Sequence, residues 1–379
     1  MIIRNEIKKI EKDIIKWRRD FHKYPELSFE EHLTSKKIGE ELKKMGMNPK
    51  MKIGKTGVVS DLKFGEGPII ALRADMDALP LQEKGNLSFK SKHKGIMHAC
   101  GHDAHMAMLL GVAKTLSEYK KGLRGTVRFI FQPAEEGKGG ARYMIRDGCL
   151  DGVEEIYGLH VWNYQPAGEV GVKEGPVMAA ADMFYIKIKG VGGHGAAPQG
   201  TVDAIVVASH LIQSFQTVVS RNINPLDNAV ITVGKIKGGD NFNIIADEVY
   251  IEGTARSYTE VNRSLIKSKM NQIIEGVSNT YGAKINFEYV DGYPPTINSS
   301  NCAKKVLKAA KKVVGDKAGL PYLSMGGEDF SYYLQKRPGC FFFVGSAPDP
   351  SKPFGTPQHC SHYDIDEKSL SIGPSVFLN

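Results

Sequence analysis

The sequence predicts an α/β protein with two domains, in which an α+β domain is inserted into a doubly wound, mostly parallel sheet. Strand and helix patterns alternate up to about residue 180 and again after about residue 295, as in a parallel sheet covered by helices. The intervening order is βαββαβ. Because 379 residues exceed one ordinary core, we expect a discontinuous first domain at 1–180 and 295–379, and an inserted domain at 181–294.

The first domain is expected to begin with helices and to continue with buried strands. Apolar residues recur at helical spacing between residues 5 and 47, and Pro25 divides them. A second helix is therefore expected from about Ser28 to Met45. Short apolar runs predict strands at 57–60, 69–72, 127–131 and 156–161, and an apolar stretch predicts a helix at 103–119.

The inserted domain shows the alternation of half-buried strands. Strands are predicted at 184–189, 229–235, 249–255 and 284–290, and helices at about 201–219 and 260–281. This order predicts a small open sheet with two helices on one face.

Composition excludes several classes of function. The net charge is +8, from 50 basic and 42 acidic residues, but no basic block is interleaved with aromatic residues, so we expect no nucleic-acid partner. No stretch of about 18 uncharged apolar residues exists, which predicts no membrane partner. The polar N-terminus predicts no signal peptide, and five scattered cysteines favour a cytoplasmic protein without disulfides.

Polar groups capable of chemistry follow the predicted strands. Asp77 follows the run at 69–72, Glu135 and Glu136 follow the run at 127–131, and His160 ends the run at 156–161. Ligands of open α/β sheets bind at the carboxyl ends of strands, so this placement predicts a site there. Adjacent carboxylates can divide the work, one binding a metal and the other taking a proton from water.

A thiol and an imidazole lie two positions apart in Cys100-Gly101-His102. Together they suit Zn²⁺ and, less well, Mn²⁺, Co²⁺ or Ni²⁺. Asp103 and His105 lie close by in the sequence, and metal-bound histidines are commonly supported by carboxylates. Each of these residues alone is an ordinary buried or surface group. Near the C-terminus, spacing alone leaves three candidates for a final ligand: His359, Cys360 and His362.

Four motifs in one order resemble a known family. They are RADMDALP at 73–80, MHACGHDAH at 97–105, QPAEEG at 132–137 and GHGAAP at 193–198. They resemble the aminoacylase/carboxypeptidase family of dinuclear metallohydrolases, in the amidohydrolase branch of hippurate hydrolases, auxin-conjugate hydrolases and N-acetyldiaminopimelate deacetylases. The resemblance runs from residue 18 to residue 367, nearly the whole chain.

The resemblance implies a hydrolase of N-acyl-L-amino acids that uses a metal-bound hydroxide and a glutamate general base. The base would be Glu135, and Asp77 would belong to the catalytic set by orienting a ligand. The implied ligands of two divalent ions, with Zn²⁺ preferred over Mn²⁺, Co²⁺ or Ni²⁺, are Cys100, His102, Glu136, His160 and His359. His359 is chosen over His362 by its distance from the family's segment at 363–367.

The inserted domain matches the family's lid and dimerisation domain. His194 would reach a neighbouring subunit's site and stabilise the developing oxyanion. Asn243 and Arg256 match lid positions that hold the substrate carboxylate, and we also assign Gly327 to substrate binding. The partners implied are a small N-acyl amino acid or short peptide, and a second copy of the chain in a homodimer or homotetramer.

The sequence departs from the family pattern at two places, and two other functions stay open. Gln199 stands where the family often has His, and residues 358–361 read QHCS where the family has Leu-His-x-Pro. One is a carboxypeptidase or dipeptidase, which would use the same site on unblocked peptides, and the other is an N-acetyldiaminopimelate deacetylase. A catalytically silent binding or scaffold protein is disfavoured because every expected ligand and the base are present.

Overall fold

A computed structural model describes residues 2–119, 122–349, 351–352 and 355–379. The helices are α1 (Ile2–Lys9), α2 (Glu11–Lys23), α3 (His32–Lys44), α4 (His102–Glu118), α5 (Gly140–Arg146), α6 (Ala204–Asn222), α7 (Glu260–Tyr281), α8 (Ser300–Val314), α9 (Ser331–Leu334) and α10 (Ile372–Phe377). No helix within these residues is both long and apolar enough to cross a bilayer.

The strands form one large sheet and several smaller ones. They are β1 (Lys50–Ile53), β2 (Gly57–Lys63), β3 (Ile69–Asp75), β4 (Thr126–Gln132), β5 (Val153–Pro166), β6 (Val170–Gly171), β7 (Gly175–Met178), β8 (Ala180–Lys189), β9 (Gly193–His194), β10 (Ala229–Gly238), β11 (Ile244–Ile245), β12 (Glu248–Ser257), β13 (Lys284–Tyr293), β14 (Thr296–Asn298), β15 (Ala318–Gly319) and β16 (Gly339–Ala347).

The chain divides into two compact units. Unit 1 comprises Met1–Gly175, Ile297–Leu323 and Asp329–Asn379, and unit 2 comprises Pro176–Thr296 and Ser324–Glu328. The segment that forms unit 2 therefore interrupts the chain of unit 1.

Unit 1 is built on an eight-stranded mixed sheet with the order β1-β2-β4-β3-β5-β16-β6-β15. Its centre is parallel, because β3 pairs in parallel with β4 and β5, and β5 pairs in parallel with β16. The helix α4 is buried along nearly its whole length and packs in the main hydrophobic core. The predicted α/β class with a mostly parallel sheet is confirmed.

The start of α3 differs from the prediction of a helix beginning near Ser28. The helix begins at His32, and Phe29 has a φ of 67°. A non-glycine residue in the left-handed region cannot continue an α-helix. The Ser28 side chain instead donates a hydrogen bond to Asp77, at 2.6 Å.

Unit 2 contains a four-stranded antiparallel sheet with the order β10-β12-β8-β13. The four strands of this sheet and the helices α6 and α7 follow along the chain in the order β8, α6, β10, β12, α7 and β13, which confirms the predicted βαββαβ pattern. A cluster of buried apolar residues from both helices and the sheet forms a separate core, with Phe184, Leu211, Phe215 and Met270 fully buried in it. The pairing of α6 with α7 over the sheet fits two helices on one face.

Within unit 1, two basic side chains of α2 hold the first turn of α4. Asp103 Oδ2 accepts from Arg18 Nε at 3.2 Å and lies 2.9 Å from His22 Nδ1. The other ring nitrogen of His22 lies 3.4 Å from Glu83 Oε1. Burial lowers the pKa of His22, but the hydrogen bonds to Asp103 and Glu83 outweigh it and raise this pKa to about 9. The His22 imidazolium thus holds the start of α4, where His102 lies.

This network predicts a loss of stability at alkaline pH. A histidine whose pKa is raised in the folded state adds stability that is complete below its unfolded pKa of about 6.5 and lost as pH rises through about 9. We expect urea unfolding to show a decline of about 3 kcal/mol between pH 6.5 and pH 10. The decline should be much smaller in His22→Gln and unchanged in His210→Gln, which alters an exposed histidine. An equal decline in His22→Gln would contradict this account.

Candidate metal centre

Gly101 sets the geometry of the loop that carries Cys100 and His102. It precedes α4 with a φ of 96°, a conformation that favours glycine. A Cβ at this position would lie 2.3 Å from Val161 Cγ2 and 2.7 Å from the Tyr363 hydroxyl. The loop therefore requires glycine for both backbone conformation and space.

Two histidines direct the same ring nitrogen into the centre. His102 Nδ1 lies 2.8 Å from the Asp77 carbonyl oxygen, and His160 Nδ1 lies 2.6 Å from the Val161 carbonyl oxygen. A carbonyl only accepts, so each Nδ1 carries the proton and donates it. When each ring is neutral, its Nε2 presents the lone pair that a metal requires.

The Asp77 carboxylate holds the turn of the two glutamates. Its Oδ1 accepts from Glu135 N at 2.9 Å, and its Oδ2 accepts from Glu136 N at 3.0 Å and from Ser28 Oγ at 2.6 Å. Asp77 is fully buried, and these bonds, together with His102, lower its pKa despite burial. Asp77 thus orients the His102 ring through its backbone carbonyl, and it orients both glutamates through its side-chain carboxylate.

The five predicted ligands form one cluster of donor atoms. Cys100 Sγ lies 3.4 Å from His160 Nε2, Glu136 Oε1 lies 3.9 Å from His102 Nε2, and His359 Nε2 lies 3.3 Å from Glu136 Oε1. Donors that share a tetrahedral ion at about 2.0–2.3 Å are themselves about 3.3–3.8 Å apart. The observed separations of 3.3–3.9 Å are close to that spacing.

Between the two candidate histidines near the C-terminus, the structure brings His359 to the cluster. Its backbone N donates to the Ala99 oxygen at 2.7 Å, which ties it to the Cys100 loop. His359 adopts a φ of 66°, and Ala134, just before Glu135, adopts a φ of 55°. Such conformations cost about 1–2 kcal/mol each and tend to occur at functional sites. Both histidines are exposed, and the ring of His362 lies beside Ser361.

The donor set fits divalent cations. Among the described residues, His102 Nε2 and Glu136 Oε1 are buried without any hydrogen-bond partner. Burial, and after it the carboxylates of Glu136 and Glu135, raises the pKa of the Cys100 thiol well above its usual value. Buried carboxylates beside a thiol and two imidazole lone pairs need positive charge, which Zn²⁺ or a related ion supplies.

The predicted base Glu135 lies beside the same cluster, and its carboxylate is hydrogen-bonded to the backbone of Asp329. It is 6% exposed, and its Oε1 accepts a hydrogen bond from Asp329 N at 3.4 Å. Ligand atoms of His102, Glu135 and Glu136 lie within 4.8 Å of one another. A carboxylate at this position can reach a water molecule bound beside Glu136.

A buried network under the cluster was not assigned any role from the sequence. Arg73 donates to Asp75 Oδ2 at 2.6 Å and to Asp329 Oδ1 at 2.9 Å. Asp75 Oδ1 lies 2.6 Å from His105 Nδ1, and its other oxygen lies 3.7 Å from His102 Nε2. Two signals were available: Arg73 is a charged residue inside a largely apolar strand, and Arg73 and Asp75 both belong to the motif at 73–80. This network holds Asp329, and so the bond to Glu135, in place.

The four remaining predicted residues lie in unit 2. His194 and Asn243 belong to one ribbon, because β9 pairs with β11 and Gly195 N donates to the Asn243 oxygen at 2.8 Å. His194 Nδ1 accepts from Ala196 N at 3.0 Å, so the neutral ring carries its proton on Nε2. Arg256 lies on β12 opposite Ala181 of β8, and a Cβ on Gly327 would meet the Ala181 side chain at 2.6 Å.

Comparison with known proteins identifies the family of the chain. The model of peptidase family M20/M25/M40 matches residues 71–379. The chain belongs to this family. The expected class, a dinuclear metal-dependent hydrolase of amide or peptide bonds, is therefore confirmed.

Individual members of the M20 family cover nearly the whole chain. The N-acetyl-L-cysteine deacetylase of Bacillus subtilis is 45% identical over 370 residues, which are 97% of this chain and 87% of that protein. Thermostable carboxypeptidase 1 of Saccharolobus solfataricus is 40% identical over 376 residues, 98% of this chain and 95% of that protein. The crystal structure of Bacillus subtilis YXEP, a dinuclear metal-binding M20 peptidase, is 36% identical with a TM-score of 0.85, covering 98% of this chain and 96% of that one.

The role of Asp77 predicts the effect of replacing it with an amide. In Asp77→Asn the amide NH₂ would face a backbone N–H of Glu135 or Glu136, and one bond would become a contact between two donors. We expect a loss of about 10–100-fold in metal affinity or kcat, measured by metal titration and steady-state kinetics. Ser28→Ala removes only one bond to the same carboxylate and should lose much less. Equal losses in the two variants would contradict the proposed geometry.

Proposed function

We propose that this M20 enzyme hydrolyses the amide bond of N-acyl-L-amino acids. The observation that carries the proposal is the cluster of five donors with Glu135 beside it, a complete set for a metal-assisted amide hydrolysis. The identity of 45% with an N-acetyl-L-cysteine deacetylase supports an acylated amino acid as the substrate class.

The proposed ligands of two divalent ions are Cys100, His102, Glu136, His160 and His359. The dinuclear character of the YXEP relative supports a pair of ions, and the thiol with three imidazoles favours Zn²⁺, with Mn²⁺, Co²⁺ or Ni²⁺ as alternatives. When bound, such ions lower the pKa of water and polarise the amide oxygen.

The protein side chains supply the proton transfers. Glu135 takes a proton from the attacking water and delivers it to the leaving amine nitrogen, with its carboxylate held by the Asp329 backbone N. Asp77 acts as a positioning residue, because it fixes the backbone of both glutamates and the ring of His102.

Unit 2 is proposed to serve as a lid and dimerisation domain. The His194 ring, with its proton on Nε2, is suited to donate to the oxyanion that develops on the amide oxygen. Asn243 shares its ribbon, and with Arg256 and Gly327 it is proposed to hold the substrate carboxylate. His194 would act in the site of a second copy of the chain, in a homodimer or homotetramer.

The role of Glu135 predicts a variant that keeps metal but loses turnover. Glu135→Gln preserves the shape of the side chain and removes the base, so kcat should fall by about 10²–10⁴-fold. Metal content measured on the same sample should match the wild type. Glu154→Gln, on an exposed glutamate of unit 1, should retain full activity. Near-normal turnover in Glu135→Gln would rule out the assigned base.

The substrate class is tested with a small matched set of amides. We expect N-acetyl-L-alanine to be hydrolysed with a kcat/KM at least about tenfold above that of L-alanyl-L-alanine, and N-acetyl-L-alaninamide, which lacks the carboxylate, to be a poor substrate. The identity of 40% with a carboxypeptidase supports the competing function, which predicts preference for peptides. Preference for the dipeptide would establish that function instead. A metal-loaded enzyme that cleaves none of these amides would refute both.

A further inference from the structure

A second buried acid, Glu31, contacts the turn that carries the proposed base. The backbone N–H of Ala134 donates to Glu31 Oε1 at 2.9 Å. The N–H groups of the next two residues, Glu135 and Glu136, donate to the Asp77 carboxylate at 2.9 and 3.0 Å. Glu31 is 0% exposed. It therefore binds the residue directly before the base, although it belongs neither to the four motifs nor to the proposed metal ligands.

Ala134 adopts a backbone conformation that has to be held by its surroundings. Its φ of 55° lies in the left-handed region, which is unfavourable for a residue with a Cβ. Its carbonyl oxygen accepts from Gly140 N at 2.9 Å, and its N–H donates to Glu31. Because Ala134 sets the direction in which the chain continues into Glu135, loss of the bond to Glu31 would let the turn relax and displace the base.

Glu31 is itself fixed by parts of unit 1 that lie outside the metal centre. It directly precedes α3, and its backbone oxygen accepts from Ser35 N at 3.0 Å in the first turn of that helix. Its Oε2 accepts from the hydroxyl of Thr56, between β1 and β2, at 2.5 Å. The carboxyl group thus connects the start of α3 with the turn of the base.

Glu31 and Asp77 differ in how far their bonds depend on charge. Asp77 accepts from a backbone N–H at each of its oxygens, and its pKa is lowered. Burial, and after it the Asp77 carboxylate, raises the pKa of Glu31 to about 7, although hydrogen bonds from Thr56 and from local backbone N–H groups lower it. An uncharged group at position 31 can still accept from Ala134 with its carbonyl oxygen. Its other end can donate to Thr56, because a hydroxyl both donates and accepts.

We infer that Glu31 positions the base Glu135 by accepting the Ala134 N–H, and that this acceptor need not be charged. The role rests on the proposed function, in which Glu135 is the base. Asp77 needs two accepting oxygens toward the turn, whereas Glu31 uses one. The same exchange of acid for amide should therefore be harmful at position 77 and tolerated at position 31.

Kinetics of the Zn²⁺-loaded enzyme on N-acetyl-L-alanine separate loss of the acceptor from loss of the charge. In Glu31→Met the acceptor is removed, so kcat per metal-loaded site should fall by about 10–100-fold while KM changes by less than about threefold. Glu31→Gln keeps the acceptor and should stay within about threefold of the wild type, unlike Asp77→Asn. Glu30→Met, at the exposed neighbouring position, should match the wild type.

Hydrogen exchange measures the turn without any turnover. In the Zn²⁺-loaded protein, deuterium uptake at residues 133–140 should be about tenfold faster in Glu31→Met than in the wild type, and unchanged in Glu31→Gln. Uptake in α7, which packs in the separate core of unit 2, should be the same in all three proteins. Faster uptake in both places would indicate a general loss of stability and would contradict the positioning role.

Other outcomes also overturn the inference. Unchanged kcat and unchanged uptake in Glu31→Met would mean that Glu31 does not hold the turn. Equal losses in Glu31→Met and Glu31→Gln would mean that the charge is required. Thr56→Val removes only the second contact of the carboxyl group, and a loss as large as that of Glu31→Met would assign the effect to this contact instead.

Two comparisons keep the inference testable if one protein fails. If Glu31→Met does not fold, Glu31→Gln is compared with Asp77→Asn, and equal losses of kcat in these two variants would contradict the different roles of the two acids. If the wild type hydrolyses no N-acyl amino acid, the proposed function fails, and hydrogen exchange at residues 133–140 still decides whether Glu31 holds the turn.

Discussion

The buried Asp77 carboxylate is the interaction on which the metal centre depends. It accepts hydrogen bonds from the backbones of Glu135 and Glu136, and the Asp77 carbonyl oxygen accepts from His102. The strand β3, the turn after β4 and the start of α4 meet at this one residue. Because a buried ionised group must be fully hydrogen-bonded, the three segments have little freedom to move apart.

The same constraint explains why the centre requires cations. The folded chain collects two glutamates, a thiol and imidazole lone pairs at separations of about 3.3–3.9 Å. Buried atoms of His102 and Glu136 find no hydrogen-bond partner in the part of the chain that the structure describes. Such a cluster is costly in free energy without positive charge, so folding of unit 1 and metal binding stabilise each other. The left-handed backbone conformations of Ala134 and His359 add a separate free-energy cost to forming the cluster.

Local patterns predicted much of this architecture, and tertiary contacts explain what they missed. The helix at 260–281 was predictable because Thr259 caps its start and Gly282 ends it. The start of α3 was not, because Ser28 bonds to Asp77, 49 residues away. Asp329 and Glu135 are 194 residues apart in the sequence, and no periodic pattern of apolar residues predicts their contact. The proposed ligand residues were predicted from the order of the motifs along the chain.

The five proposed ligands of two divalent ions are Cys100, His102, Glu136, His160 and His359. Anomalous diffraction from crystals of the Zn²⁺-loaded protein tests this assignment most directly. The account predicts two peaks per chain, each about 2.0–2.3 Å from side-chain atoms of this set, with every one of the five residues used. A single peak, or a second peak bound by Asp75 and His105 instead, would contradict it.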